Sequence, residues 1–507
     1  MAFMNAIRNE LNNETKLTEN GAVGYRTTGK KLLDLNFSVA SLRGASEQEI
    51  INKFMDAYWE NPVVAIKWLF YTRDCREGLG ERRLFRIVLK HLAQDKPEVI
   101  KAVFNFTPKY GRYDDLWGLL DTDLKKDVIS MVAEQLTEDA TNMNNNKSIS
   151  LICKWLPSEN ASSKETKRYA TIIRKGLDMT SRNYRKMLSA MRKYIEVVEC
   201  KMSAKQWNEI DYEDVPSRAN LIYNNAFLRN DEERRRAYLG ALEKGEVKIN
   251  AGTLFPHDIV HKYTSGSWYS RLNNYDAALE GMWKALPDTV KGNGNTLVVA
   301  DGSGSMTCNV GGKTSVTALD VANALAIYFA ERASGEFKDK YITFSNRPQL
   351  VDFSNAKSLH DKIGVALRHS EVADTNIEAT FNLILQTAIN NDMVQEDMPK
   401  NVLIISDMEF NSAVGWNRPT ATLFDTIAKK YAAYGYKLPR LVFWNVNSRT
   451  GTIPVKENDL GVALVSGFSV NIVNMVMSNK LDPYECLLDA LNVERYQAIE
   501  DAVKGIC

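Results

Sequence analysis

The sequence predicts an α plus α/β protein, a helical-repeat solenoid or ring followed by a doubly wound, mostly parallel sheet domain. Three observations carry this. At 507 residues the chain exceeds what one ordinary core organises, so it divides into domains. Up to about residue 290 the apolar residues recur at helical spacing, with short polar turns between the runs. From 292 to 480 short apolar runs alternate with amphipathic stretches, the pattern of strands joined by helical crossovers.

Residues 1–30 read as an N-terminal arm, 31–290 as the helical domain, 291–480 as the sheet domain and 481–507 as a closing helix. Ser46 and Glu49 have capping-box spacing ahead of EIINKFMDAYWE. Pro62 sits where a first helical turn tolerates proline and opens PVVAIKWLFYTRD. GERRLFRIVLKHLA and LKKDVISMVAEQL are further amphipathic helices, and helix pairs of this kind stack into solenoids, although no clean sequence period marks the repeat. In the sheet domain TLVVA (296–300), YITFS, QLVDF, NVLIIS, RLVFWNV and VALVS read as strands. YITFS and QLVDF flank Asn346-Arg347-Pro348, so they form a hairpin that puts one antiparallel strand in the sheet.

A net charge of +1 implies no global attraction for nucleic acid or membrane, while leaving room for a local basic face. Six widely spaced cysteines form no Cys-x-x-Cys pair, which argues against a zinc ribbon and for reduced thiols in a cytoplasmic protein. The first residues, MAFMNAIRNELNNETK, lack the apolar core of a signal peptide. No uncharged apolar run approaches the roughly 20 residues that span a bilayer. A monomer without membrane contact is expected.

The chemistry gathers in LVVADGSGSMTCNVGGKTS (297–315). In open α/β sheets ligands bind beyond the C-terminal ends of the strands. Asp301 follows TLVVA directly, and Ser303 and Ser305 lie in the same loop. Asp407 ends NVLIIS at the same edge, and Thr375 precedes the helix IEATFNLILQTAIN. Two carboxylates and three hydroxyls make an all-oxygen set suited to Mg²⁺ or Mn²⁺, with a position left for an incoming ligand. These residues resemble the metal-ion-dependent adhesion site of the Rossmann-like von Willebrand factor A domain. There an Asp-x-Ser-x-Ser loop follows the first strand, a later loop supplies a Thr, and an Asp ends the fourth strand. That last Asp is often followed by Gly in the family, whereas here Met408 follows Asp407.

A competing reading takes Gly312, Lys313 and Thr314 as the end of a phosphate loop and the protein as an NTPase. The pattern Gly-x-x-x-x-Gly-Lys-Ser/Thr then needs Gly at 307, where Thr307 stands, and the loop is too long. His257 and His261 share a helix face but lack a following Glu and a third zinc ligand. Ser303 and Ser305 have no His in an activating motif, so a non-catalytic protein is expected.

The helical half holds a basic cluster: Lys164, Lys167, Arg168, Arg174 and Lys175, then Arg182, Arg185, Lys186, Arg192 and Lys193 beside an apolar stripe that includes Tyr184, Leu188 and Met191. Such a cluster neutralises several phosphates, and Tyr169 and Tyr184 are candidate stacking surfaces. TRDCREGLGERRLF (72–85) and TPKYGRYDDLW (107–117) read on their own as solvated turns with ion pairs.

The stretches RDCREGLGER, YGRYDDLW, KWLPSENASSKETKR and DYEDVPSRAN, ahead of a von Willebrand A-like domain, resemble the Ro 60 kDa autoantigen family with its HEAT-like TROVE module. They are most similar to an uncharacterised branch found in phages, bacteria, fungi and plants. The resemblance runs from about residue 18 to the end. It implies a ribonucleoprotein that takes single-stranded RNA ends or small structured RNA, while the open position of the cation would accept an acidic side chain of a protein partner or a phosphate oxygen. The alternative is a metal-dependent interaction scaffold without RNA.

Overall fold

An antiparallel hairpin, β1 (Thr15–Leu17) and β2 (Val23–Tyr25), opens the described part of the chain. The computed structural model describes residues 15–264, 272–290, 295–311, 314–369, 374–412, 422–456, 458–476 and 480–507. Further strands are β3 (Thr296–Asp301), β4 (Lys340–Phe344), β5 (Gln349–Asp352), β6 (Asn401–Ser406), β7 (Arg440–Asn445) and β8 (Val462–Ser466). They form one mixed sheet in the order β5-β4-β3-β6-β7-β8, parallel except for the β4–β5 pair. All six expected strands are present, and the hairpin around Asn346-Arg347-Pro348 supplies the antiparallel edge.

Burial explains the composition of the sheet. Every residue of β3, β7 and β8 is buried, and strands covered on both faces read as continuous apolar runs. The helix Ala318–Arg332 packs on β3 and is buried from Ala318 through Ala330. A helix apolar on all sides belongs in a core. Its start is fixed by a capping box, in which Thr317 Oγ1 accepts from Asp320 N and the Asp320 carboxylate accepts from Thr317 N.

The compact units do not follow chain order. One joins residues 1–60 to 254–492, and the other joins 61–253 to 493–507. The expected boundaries at 30, 290 and 480 therefore differ from those observed. Residues 31–60 join the sheet because they are bonded to it: Asn445 Nδ2 donates to Phe37 O at 2.8 Å, and Ala40 N donates to Ser466 Oγ at 3.0 Å. The helix Pro256–Thr264 joins it by packing on Ala318–Arg332.

The expected single closing helix is two helices, Pro483–Leu491 and Glu494–Val503. Their buried residues explain the break. Pro483, Cys486, Leu487 and Leu491 share one face, while Tyr496, Ile499 and Val503 would fall on the opposite face of a continuous helix.

In the second unit, helices from Pro62–Arg73 through Glu232–Lys244 make up the helical region, and Glu494–Val503 packs against Pro62–Arg73. Its arginine-rich stretches are interlocked rather than solvated. Buried Asp115 receives Arg73 Nε at 2.7 Å and Arg86 Nε at 2.6 Å. Fully buried Asp74 receives Arg495 through both Nε and Nη2, and Tyr496 Oη at 3.0 Å. Among the described residues no helix is long and apolar enough to cross a membrane, and the six cysteines are unpaired thiols.

Arg495→Ala leaves the Asp74 carboxylate buried with fewer donors. Stripping one partner from a buried ion pair costs about 3 kcal/mol at the low end, the end that applies because Tyr496 still donates. Urea titration followed by tryptophan fluorescence is expected to show that loss in the helical unit.

Candidate metal centre

The sheet brings β3 and β6 side by side at its topological switch point. From there the chain proceeds to β4 on one flank and to β7 on the other. Asp301 closes β3, and Asp407 follows the last residue of β6. The register pairs Ala300 with Ile405, so the two carboxylates emerge at neighbouring strand ends. Asp301 is 1 % exposed and Asp407 is 1 % exposed.

Short-range hydrogen bonds shape the loop. Asp301 Oδ1 accepts from Ser303 N at 2.9 Å, and Oδ2 accepts from Ser406 Oγ at 2.6 Å. Ser303 Oγ lies 2.9 Å from Ser305 Oγ, and the Ser305 hydroxyl near Asp407 helps to hold that carboxyl down. Asp301, Ser303, Ser305 and Asp407 thus form one connected cluster. Met408 takes φ = 63°, a left-handed backbone that favours glycine. The departure from Gly noted at this position is accommodated as backbone strain, with the Met408 side chain buried.

Thr375 is tied through Asn20 to Glu409, two residues beyond Asp407, by a segment far from both in sequence. Asn20 Nδ2 donates to Thr375 Oγ1 at 3.2 Å and to Glu409 O at 2.6 Å. Asn411 N donates to Thr375 O at 2.9 Å, and Gly21 forms a β-bridge with Asn411. The turn between β1 and β2 therefore lies against Thr375 and the 409–412 segment.

Fully buried Glu409 fastens it. Its carboxylate accepts from Glu19 N at 2.8 Å, Arg449 N at 2.9 Å and Thr450 N at 2.8 Å. The Arg449 guanidinium bridges Glu19 at 2.5 Å and Asp407 at 3.5 Å. Asn20, Glu19, Glu409 and Arg449 were missed by sequence reasoning. Only the position of Glu409 two residues beyond Asp407 hinted at any of them.

Burial, and then the charge of Asp407, push the Asp301 carboxyl up to about 7 against the opposing hydrogen bonds of Ser406 and Ser303. Burial likewise raises Asp407, against the Ser305 hydrogen bond and the Arg449 charge. Two buried carboxylates, of which only Asp407 has a guanidinium beside it, lack positive charge, and hydroxyl and carboxylate oxygens are the donors a hard cation takes. The residues fit Mg²⁺ or Mn²⁺. Among the described residues no three His, Cys, Asp or Glu side chains form a metal cluster, so the site rests on its hydroxyls as much as its acids.

Comparison with known proteins adds two family models, each described as a domain of unknown function. DUF2828 matches residues 18–107 and 159–296, and DUF7788 matches 295–501. The Uncharacterized protein L728 of Acanthamoeba polyphaga mimivirus is 30% identical over 94% of this chain and 86% of its own length. The chain belongs to the L728 family. The two models meet at residues 295–296, immediately before β3, so all five candidate metal donors of this L728-family chain lie in the second model and the basic cluster lies in the first.

The basic cluster is only partly free. Lys164, Lys167, Lys175, Arg182, Arg185, Lys186 and Lys193 are exposed, on the helices Lys164–Gly176 and Ser181–Tyr194. Arg168 is committed to Asp121 at 2.5 and 2.8 Å, and Arg174 to Glu159 at 2.8 Å. Arg192 donates to Cys153 O at 2.8 Å, Leu156 O at 2.7 Å and Ser158 Oγ at 3.0 Å, which makes it a strut rather than a surface cation. Tyr184 is fully buried and donates to Pro157 O, so it is not a stacking surface; the Tyr169 hydroxyl is engaged by Asp121.

Gly312 and Lys313, on which the phosphate-loop reading turns, lie outside the described residues. His257 and His261 go to different partners. His257 packs between Phe255 and Phe468, and His261 faces Asp320.

A raised carboxyl pKa is stabilising while the group is protonated, so the Asp301 contribution is present below its unfolded value near 4 and is lost as pH rises through about 7. Mn²⁺ binds the ionised form and reverses the loss, by about 2.7 kcal/mol at a hundredfold excess over Kd. Thermal melts at pH 7.5 are expected to rise with Mn²⁺ and fall back with EDTA. Asp301→Asn should raise the metal-free melt and abolish the Mn²⁺ response.

Proposed function

We propose that the chain is a metal-dependent binding protein with a von Willebrand A-like sheet domain and a Ro-like, RNA-binding helical region. The observation that carries the metal half is the convergence of Asp301, Ser303, Ser305 and Asp407, with Thr375 tied alongside, at the switch point of the sheet. Strand order and the antiparallel edge support the von Willebrand A reading. Mg²⁺ held there keeps an open coordination position for an oxygen anion, which suits a carboxylate from a protein partner. Asp301 and Asp407 supply the negative charge, the three hydroxyls complete the oxygen set, and Arg449 lends an approaching anion a second cation.

The RNA half rests on the seven exposed cations of the two basic helices, together with the Ro-like stretches of sequence. Their spacing along adjoining helices suits a phosphate backbone, and the committed tyrosines favour phosphate contact over base stacking. A scaffold without RNA is the second reading. It is favoured by the internal use of Arg168, Arg174 and Arg192.

Filter binding with single-stranded RNA separates the two. Affinity is expected to fall steeply with salt, and replacing Arg182, Arg185 and Lys186 by Ala should flatten the log–log slope by about 2. Arg192→Ala is expected to lower stability instead. RNA-free protein with no salt-dependent binding, in the presence of an EDTA-sensitive protein complex, selects the scaffold.

A further inference from the structure

The helix Ala318–Arg332 starts beside a second polar constellation, separate from the metal donors. Asp320 is 0 % exposed. Its Oδ1 accepts from Thr264 Oγ1 at 3.1 Å, and its Oδ2 accepts from Thr317 N at 2.9 Å. The same Oδ2 stands 3.1 Å from His261 Nδ1. A carboxylate offers only acceptors, so Nδ1 carries the ring proton and Nε2 carries the lone pair. Nε2 lies 3.0 Å from Ser315 Oγ, and the hydroxyl must therefore be the donor. Ser315 is exposed.

The capping box is complete without this histidine, because Thr317 and Asp320 satisfy each other's N–H groups. His261 and Ser315 are additions to a finished cap. They reproduce the order nucleophile, base and orienting acid, each link within hydrogen-bond reach.

We propose that Ser315, His261 and Asp320 form an acyl-transfer site that accepts small, sterically open carboxylic esters. Ser315 Oγ attacks the acyl carbon while its proton passes to His261 Nε2. The tetrahedral intermediate expels the alcohol, which leaves with that proton, and the acyl group stays on Ser315. Water then adds to the acyl carbon by the same route, giving its proton to Nε2. The carboxylic acid departs as Ser315 Oγ recovers the proton. Asp320 stays ionised throughout, holds the tautomer and stabilises the imidazolium.

The test uses the full chain with a fluorophosphonate probe, and peptide mass spectrometry locates the label. Labelling is expected at Ser315, absent in Ser315→Ala, and at least a hundredfold slower in His261→Gln with an unchanged melting curve. No label at Ser315 in the wild-type protein overturns the proposal, as does an unchanged rate in a folded His261→Gln. A second readout is independent of that variant. In Ser315→Cys, iodoacetamide should alkylate Cys at 315 faster than exposed Cys200 at pH 7, because His261 takes the thiol proton. Equal rates contradict an activated nucleophile.

Discussion

The sheet domain is organised around two carboxylates that its topology forces together. Asp301 and Asp407 terminate adjacent parallel strands, and the apolar residues that make those strands buried also bury the acids. Like charges out of water repel and lose hydration, so the surroundings must compensate. Ser406, Ser303 and Ser305 do so partly through hydrogen bonds, and Arg449 partly through charge. Glu409, a third buried acid nearby, is already saturated by donors from Glu19, Arg449 and Thr450. The remaining deficit of positive charge falls on the Asp301–Asp407 pair, and the proposed divalent cation would repair it.

That requirement accounts for the fate of the N-terminal residues. The β1–β2 turn reaches the metal loops across about 390 residues of sequence, with Thr18 Oγ1 donating to Phe410 O and Glu19 N donating to Glu409. Closing so long a loop costs only a little more entropy than closing a shorter one, because the cost grows with the logarithm of length. The turn satisfies backbone groups of the 409–412 segment, among them Glu409 O, Phe410 O and Ser412 N. The arm is thus bonded to the segment that follows Asp407, and Asn20 links Thr375 to that segment.

Local pattern carried much of this architecture. The apolar run TLVVA reads as a buried strand with Asp301 at its C-terminal end, and the structure has that strand with Asp301 as its last residue. The hairpin at Asn346-Arg347-Pro348 was equally legible, because its turn chemistry is local. What escaped is non-local. Nothing in TENGAVGY points to residue 375 or 409. The basic stripe was readable as charge, but whether Arg192 faced solvent depended on three acceptors at 153, 156 and 158. The break at Asn492 was present in the sequence as a phase change in the apolar residues, overlooked because helix propensity runs on through it. The Ser315–His261–Asp320 chain was hidden for another reason: a capping Asp reads as local structure, and its histidine comes from a helix 59 residues earlier.

On the proposed function, the two strand-end carboxylates hold a divalent cation. A crystal of the full chain soaked in Mn²⁺ and measured at the manganese absorption edge addresses it directly. One anomalous peak is expected within about 2.2 Å of oxygens from Ser303 and Ser305, with the Asp301 and Asp407 carboxylates around it directly or through bound water. A map with no peak between β3 and β6 at millimolar Mn²⁺ and neutral pH would contradict it.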